Sequence, residues 1–401
     1  MFLGNRACVA VLLFTVWSTS VSSAGSSPAT PNTTGVAAGT WVTPTPTGPS
    51  RVGTSVLALA DTDRDDPYHT DGSKRKLVIH FWYPALPVAN CTLGSYSSPQ
   101  VWAYVAEITG GPLPEVRTHS CSNGPVAPGL HPVILFSHGY TGMLTDSTFL
   151  FEDLASRGYV VVSVAHTYES TAVEFPEGQL AKSVLGSYLV GDMRTDRQTL
   201  ERALAVRLAD VKFVLSELTR LNNQSTGFFA GKLDMNRIGV MGHSLGGVAA
   251  LMTLQREPFL KSAVAIDGLG LPIVVPTAKP VLILTAERSK WDADECRLWN
   301  NLHGPKLEVR MRGAEHLTLT DLVWLAQFMP GLDVGDSSMS AEKTVTAVRN
   351  YVASFFDSTL LNKPLGQILR APSLDYPNAV VTIADQALCS RALDAKNGDF
   401  P

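Results

Sequence analysis

The chain has 401 residues, 45% of them hydrophobic and 17% charged, and 32 Lys and Arg against 36 Asp and Glu give a net charge of −4 at pH 7. This composition belongs to a globular protein and excludes a charged disordered tail, a coiled coil and a collagen-like fibre. No long run of one sign occurs, so the clustered cations that neutralise phosphates are missing and no nucleic-acid partner is expected; no stable protein partner is evident in the sequence.

The first segment reads as an export signal. Residues 1–6 carry one cation, Arg6, residues 7–17 are almost unbroken apolar, and Ser22, Ser23 and Ala24 offer small residues for cleavage. The apolar run is too short to span a bilayer comfortably, so residues 1–24 are expected to be a signal peptide and the protein secreted. Residues 25–50 are rich in Pro, Thr, Gly and Ser and are expected to form a flexible leader. Residues 51–401 are then one catalytic domain.

Residues 53–84 look like a pair of strands, because 76–83 is dense in β-branched and aromatic residues and stops at Pro84. Residues 85–130 are expected to be an irregular insertion with one short helix. Ser98 and Pro99 start that helix, and Val101, Trp102, Val105 and Ile108 share one of its faces. Trp102 and Tyr104 suit a transient contact with a lipid surface, or packing on the core as part of a lid.

From Pro132 a repeating pattern begins. Short apolar runs at 133–136, 159–165, 237–241, 263–266, 281–284 and 307–311 alternate with amphipathic helices at 148–157, 200–218, 245–255 and 345–355. Continuous apolar strands with helices between them predict a mostly parallel central sheet covered on both faces. In such sheets the chemistry sits at the carboxyl ends of the strands.

Cys91, Cys121, Cys296 and Cys389 follow the signal, an even number that suits an oxidising compartment. Three pairings exist. Cys91–Cys121 and Cys296–Cys389 are favoured, because the first brackets the insertion and the second ties the C-terminal tail to the body. Asn32, Asn90 and Asn223 each begin a glycosylation sequon. No CxxC or paired-histidine cluster suggests a metal.

Gly242-His243-Ser244-Leu245-Gly246 lies between a strand and a helix, as a G-x-S-x-G nucleophile elbow requires. The base must follow Ser244 in such a fold, which leaves His303 and His316. His303 sits in a helix-end context, whereas His316 follows the strand at 307–311, so His316 is favoured. For the acid, Asp267 and Glu287 each end a suitable strand and the pattern barely separates them. Asp292 and Asp294 lie further into the loop. Backbone N–H groups of Leu245 and Tyr140 are the expected oxyanion donors, Tyr140 lying in the glycine-containing loop after residues 133–136.

These residues carry a family resemblance. Phe136-Ser137-His138-Gly139, Asp153 to Gly158, Gly242 to Gly247, Ala265-Ile266-Asp267, and His316 with Asp321 together resemble the serine-dependent platelet-activating-factor acetylhydrolase family. The resemblance implies an α/β-hydrolase fold, Asp267 rather than Glu287 as acid, Ser244 and His316 as its triad partners, and no cofactor. It implies a lipid or small-ester substrate, with short acyl groups released from phospholipids. The chain departs from the family pattern after Asp267, after Gly139 and across 167–179, where substrate pockets are expected. The alternatives are a broad-specificity esterase or lipase, a cutinase-like polyester hydrolase with its acid one strand later, and a non-catalytic binding protein of the same fold.

Overall fold

The computed structural model of the chain describes residues 40–268, 276–287, 293–329 and 331–383. The N-terminal part comprises strands β1 (Thr40–Val42), β2 (Arg51–Asp65), β3 (Lys74–Ala85) and β4 (Leu93–Ser95), helix α1 (Pro99–Ile108) and strand β5 (Glu115–Ser122). A strand–helix alternation follows with β6 (His131–Ser137), α2 (Thr148–Ser156), β7 (Val160–Ala165), the short strands β8 (Ala172–Glu174) and β9 (Leu180–Lys182), and α3 (Arg197–Asn222). It continues through β10 (Leu233–His243), α4 (Leu245–Arg256), β11 (Ser262–Ile266), β12 (Val281–Thr285), α5 (Ala293–Asn301) and β13 (Lys306–Met311). The last elements are α6 (Leu322–Leu325), α7 (Ala341–Leu360) and β14 (Ala379–Ile383).

The large sheet has the order β1-β5-β2-β3-β7-β6-β10-β11-β12-β13-β14, with β4 attached to β5. From β7 to β13 every neighbouring pair is parallel. The reason is legible in the strands: every residue of β7, β11 and β12 is buried, so helices must cover both faces. One face packs Phe149, Phe151 and Leu154 of α2 with Val348, Val352 and Phe356 of α7. The other packs Val211, Leu215 and Leu218 of α3 with Leu251 and Leu254 of α4. Asp196 caps α3 by accepting the Thr199 N–H at 2.9 Å, and Gly158, at φ +108°, follows the end of α2. This is the α/β-hydrolase fold the sequence implied.

Three boundaries differ from the sequence reading. The flexible leader expected over 25–50 does not extend that far, because Thr40 to Ser50 is bound to the body. The Thr43 hydroxyl donates to Glu152 at 2.6 Å, Thr47 bonds through N and Oγ1 to Asp153, and Arg349 donates to the carbonyls of Pro44 and Thr45. Trp41 stacks on Trp324 with ring centroids 4.9 Å apart. Hydrogen bonds rather than a hydrophobic stripe hold most of this segment, so composition does not reveal it. The insertion at 85–130 is likewise less irregular than expected, since β5 joins the sheet between β1 and β2. Its inward-facing residues include Thr118 and Ser120, whose polarity hides the strand pattern. Beyond α7, β14 adds an antiparallel edge that the sequence did not suggest.

Cys91 and Cys121 form a disulfide across the insertion. Cys296 is buried on α5, and Cys389 lies outside the described residues, as do residues 1–24 and Asn32. Asn90 and Asn223 are exposed. On α1, Val101 and Val105 are buried. Trp102 donates from Nε1 to the Pro114 carbonyl at 2.9 Å, and Tyr104 lies beneath the Lys182 ammonium at 4.1 Å.

Candidate active site

Ser244 sits between β10 and α4 with φ 53° and ψ −124°, a conformation that costs a residue with a side chain strain energy. The surroundings enforce it. A Cβ on Gly246 would lie 1.9 Å from the Ser137 carbonyl oxygen, so only glycine lets the helix start this close to β6. The Ser244 N–H donates to the Ile266 carbonyl at 2.9 Å, tying the elbow to β11. Ser244 is half-buried, and behind it the N–H of Leu245 opens the first turn of α4, where amides have no intrahelical acceptor.

β10 and β11 run in parallel register, His243 opposite Ile266, so Ser244 and Asp267 leave the sheet side by side at its carboxyl edge. Asp267 also has a positive φ, 45°. One of its carboxylate oxygens lies 2.6 Å from His316 Nδ1, and the other accepts the Ala286 N–H at 3.1 Å. A carboxylate can only accept, so Nδ1 carries a proton, and Nε2 is the ring nitrogen that faces away from Asp267. The His316 side chain is 44% exposed, whereas Asp267 is 4% exposed. This places a half-exposed imidazole on a buried carboxylate.

The loop that carries His316 is held from several sides. Glu287, the competing acid in the sequence, accepts the Gly313 N–H at 2.7 Å, and its own N–H bonds to the Ala314 carbonyl. Its carboxylate therefore braces the loop, and Asp267 is the carboxylate that meets the imidazole. His243, the residue before the nucleophile, donates from Nε2 to the His316 carbonyl at 3.0 Å, and burial pushes its imidazole down to about 3. Asp321 accepts the N–H groups of Thr148 and Phe149, which fastens the far end of the loop to the start of α2. His303 is exposed and bonds through its N–H to Thr277. Asp294 faces Arg297 on α5, and Asp292 lies outside the described residues.

The loop after β6 comes up against Ser244. A Cβ on Gly139 would lie 3.0 Å from His243 Nδ1 and 3.6 Å from Ser244 Cβ, so the backbone approaches closely because that side chain is absent. Tyr140 follows, largely buried, and packs in one cluster with Leu245 and Val248.

Beneath this loop lies a group of buried charges that sequence reasoning missed. Arg207 of α3 is fully buried; it pairs with Glu169 and reaches Ser137 Oγ, the His138 carbonyl and the Gly139 carbonyl. Ser137 Oγ lies 2.9 Å from His166 Nε2, and His166 Nδ1 lies 3.0 Å from Asp210. Asp210 also receives Arg75 and Arg64. Burial pushes the Asp210 carboxyl up, but the Arg75 guanidinium and its hydrogen bonds outweigh this and hold it well below the usual range. Burial and the neighbouring Arg207 keep His166 and His138 neutral. The sequence did contain a signal: Arg207 and Asp210 interrupt the apolar stripe of α3 between Leu204, Leu208 and Val211.

Fold and site together define a serine carboxylic-ester hydrolase. The profile of the family "Platelet-activating factor acetylhydrolase, isoform II" matches residues 68–331, and the chain belongs to that family. A solved ferulic acid esterase from Streptomyces cinnamoneus is 32% identical and superposes with a TM-score of 0.74, covering 86% of this chain and 99% of its own. A probable 1-alkyl-2-acetylglycerophosphocholine esterase of Arthroderma benhamiae is 24% identical over 85% of this chain and 93% of its length. The platelet-activating factor acetylhydrolase of Cavia porcellus is 25% identical, and the match spans 50% of this chain and 51% of that protein.

Proposed function

We propose that the protein is a secreted esterase that releases short acyl groups from ester substrates, acetylated ether phospholipids among them, through Ser244, His316 and Asp267. The observation that carries this reading is the 2.6 Å contact between Asp267 and His316 beside the strained Ser244 elbow. Ser244 Oγ attacks the ester carbonyl while His316 Nε2 takes its proton. The N–H groups of Tyr140 and Leu245 hold the tetrahedral oxyanion. The imidazolium, oriented by ionised Asp267, then protonates the leaving alcohol, and a water activated by His316 releases the acyl group. The acid lies directly after β11, not one strand later as in polyester hydrolases, and the family match supports the phospholipid substrate class.

A second substrate reading is favoured by the ferulic acid esterase of Streptomyces cinnamoneus, which is 32% identical across nearly its full length. A panel of p-nitrophenyl esters of graded chain length, an acetylated ether phospholipid and methyl ferulate separates the two. A preference for the acetyl phospholipid and short acyl chains is expected. Exclusive use of the ferulate would transfer the reading to aromatic esters, and loss of neither activity in Ser244→Ala would remove the proposed nucleophile. Export is supported by the apolar N-terminal run and the Cys91–Cys121 disulfide. It is tested by recovering protein from culture medium and sequencing its new N-terminus, expected after Ala24. Glycans on Asn90 and Asn223 would appear in the same sample as a mass shift removed by a glycosidase.

A further inference from the structure

We infer that Arg207 is a positioning residue for ester hydrolysis: buried beneath the loop after β6, it holds and polarises the Gly139–Tyr140 peptide, whose N–H is the proposed oxyanion donor. The inference rests on the proposed role of the Tyr140 amide.

The argument starts from the peptide group. In a planar trans peptide the C=O and N–H point in opposite directions. Whatever binds the Gly139 carbonyl on one side therefore aims the Tyr140 N–H on the other. Three donors converge on that carbonyl oxygen: Arg207 Nη2 at 2.9 Å, His138 Nδ1 at 2.7 Å and the Gly142 N–H at 2.9 Å. The carbonyl can only accept, so His138 carries its proton on Nδ1, and its Nε2 accepts from the Ser170 hydroxyl at 2.7 Å.

The guanidinium adds more than geometry. A charged donor on a carbonyl withdraws electron density through the amide and makes the opposite N–H a stronger donor. Here the donor is wholly excluded from water, where such polarisation is least screened. Arg207 is in turn kept in place by Glu169, which also accepts the Thr141 N–H at 3.3 Å, and by Ser137 Oγ at 2.9 Å. The fork geometry matters: one side chain binds Glu169, Ser137, His138 and Gly139 at once, which an ammonium group cannot reproduce. An ion pair meant only to join α3 to the loop after β7 would need contact with Glu169 alone.

The test uses the full-length mature enzyme with two variants. Arg207→Lys retains the charge but loses the fork. Arg207→Gln combined with Glu169→Gln removes both charges, so no unpaired carboxylate stays buried. For each, kcat and KM are measured on a soluble short-chain ester, together with the inhibition constant of phenylboronic acid, whose tetrahedral serine adduct occupies the oxyanion site. Folding is checked by circular dichroism and Tm. The expected result in a folded variant is a fall in kcat/KM of about 10²-fold, as for loss of one oxyanion donor. The boronate constant should weaken in parallel while KM moves less than about threefold, because the oxyanion contact forms only in the transition state. A folded variant with a lowered Tm but kcat/KM and boronate affinity within about fivefold of wild type overturns the inference and leaves Arg207 a purely structural residue. Ser244→Ala, assayed alongside, separates the two levels. Retained activity there would defeat the serine mechanism itself. An inactive Ser244→Ala beside active Arg207 variants would defeat only the positioning role.

Discussion

Two Ser–His–Asp sets sit at the carboxyl edge of adjacent strands in this sheet, and only one of them has the surroundings that the proposed catalysis needs. In the first, Ser244 follows β10 and His316 meets Asp267 at 2.6 Å. In the second, Ser137 ends β6, its hydroxyl lies 2.9 Å from His166, and His166 meets Asp210 at 3.0 Å. Both sets share the same histidine–aspartate pairing through Nδ1. What differs is everything around it. Ser244 is half-buried on a strained backbone at a helix N-terminus, and its histidine is 44% exposed. Ser137, His166 and Asp210 are buried, and the Ser137 hydroxyl is already occupied by Arg207. A serine becomes a nucleophile through access, a free base and a place for the oxyanion. The second set has none of these and serves to knit β6, α3 and the loop after β7 together.

The sharpest way to break this contrast is to delete each hydroxyl. Ser244→Ala is expected to lower kcat by about 10⁴-fold or more, and Ser137→Ala by less than about tenfold. Equal losses on a soluble ester would show that the buried set takes part in the reaction. The two carboxylates nearest His316 should separate almost as widely. Asp267→Asn favours the wrong imidazole tautomer and should cost on the order of 10⁴ in kcat, whereas Glu287→Gln should cost less than about tenfold. A large loss in the glutamine variant with a mild one in the asparagine variant, both folded by circular dichroism, would reverse the roles.

Stability should follow the opposite order. Asp210→Asn removes the carboxylate that Arg75, Arg64 and His166 share and leaves Arg75 with Asp66 alone, and is expected to cost about 3–5 kcal/mol in urea unfolding. Asp267→Asn, beside a half-exposed histidine, should cost far less. A small shift for Asp210→Asn would mean that the buried set does not carry the fold.

The last expected effect is on pH dependence, and it arises at the start of α2, where the Asp321 N–H donates to the Asp146 carbonyl and the Asp321 carboxyl accepts from Thr148 and Phe149. Burial raises the Asp146 carboxyl to about 7 and the Asp321 carboxyl to about 8, the nearby Asp146 adding to the latter. In the unfolded chain both would titrate near about 4. The folded state thus keeps protons that the unfolded state has released. Their contribution is fully present below about pH 4 and is lost as pH rises through the folded values of 7 to 8. Tm measured at pH 5, 6.5 and 8 should fall across the series, and Asp321→Asn should flatten the decline. A Tm that climbs over this range in both proteins would contradict the assignment.

The sequence by itself determined the fold class and where the proposed nucleophile stands. Unbroken apolar strands such as β7 can only be satisfied by helices on both faces, and a glycine-flanked serine between strand and helix has one common structural use. His316 was legible for the same local reason, lying just past the carboxyl end of β13. Tertiary structure alone decided what depends on direction and distance. Asp267 and Glu287 occupy equivalent places in the linear pattern, and only the path of the His316 loop sends one to the imidazole and the other to the Gly313 amide. The Thr40–Ser50 segment looks like a leader because its attachment is made of side-chain and carbonyl hydrogen bonds, which leave no hydrophobic period. Glu169 and His166 come from the loop after β7, Arg207 and Asp210 from α3, and buried polar groups of this kind are affordable in a core only when paired there. That pairing is a property of the assembled sheet and helices, which no local window of residues contains.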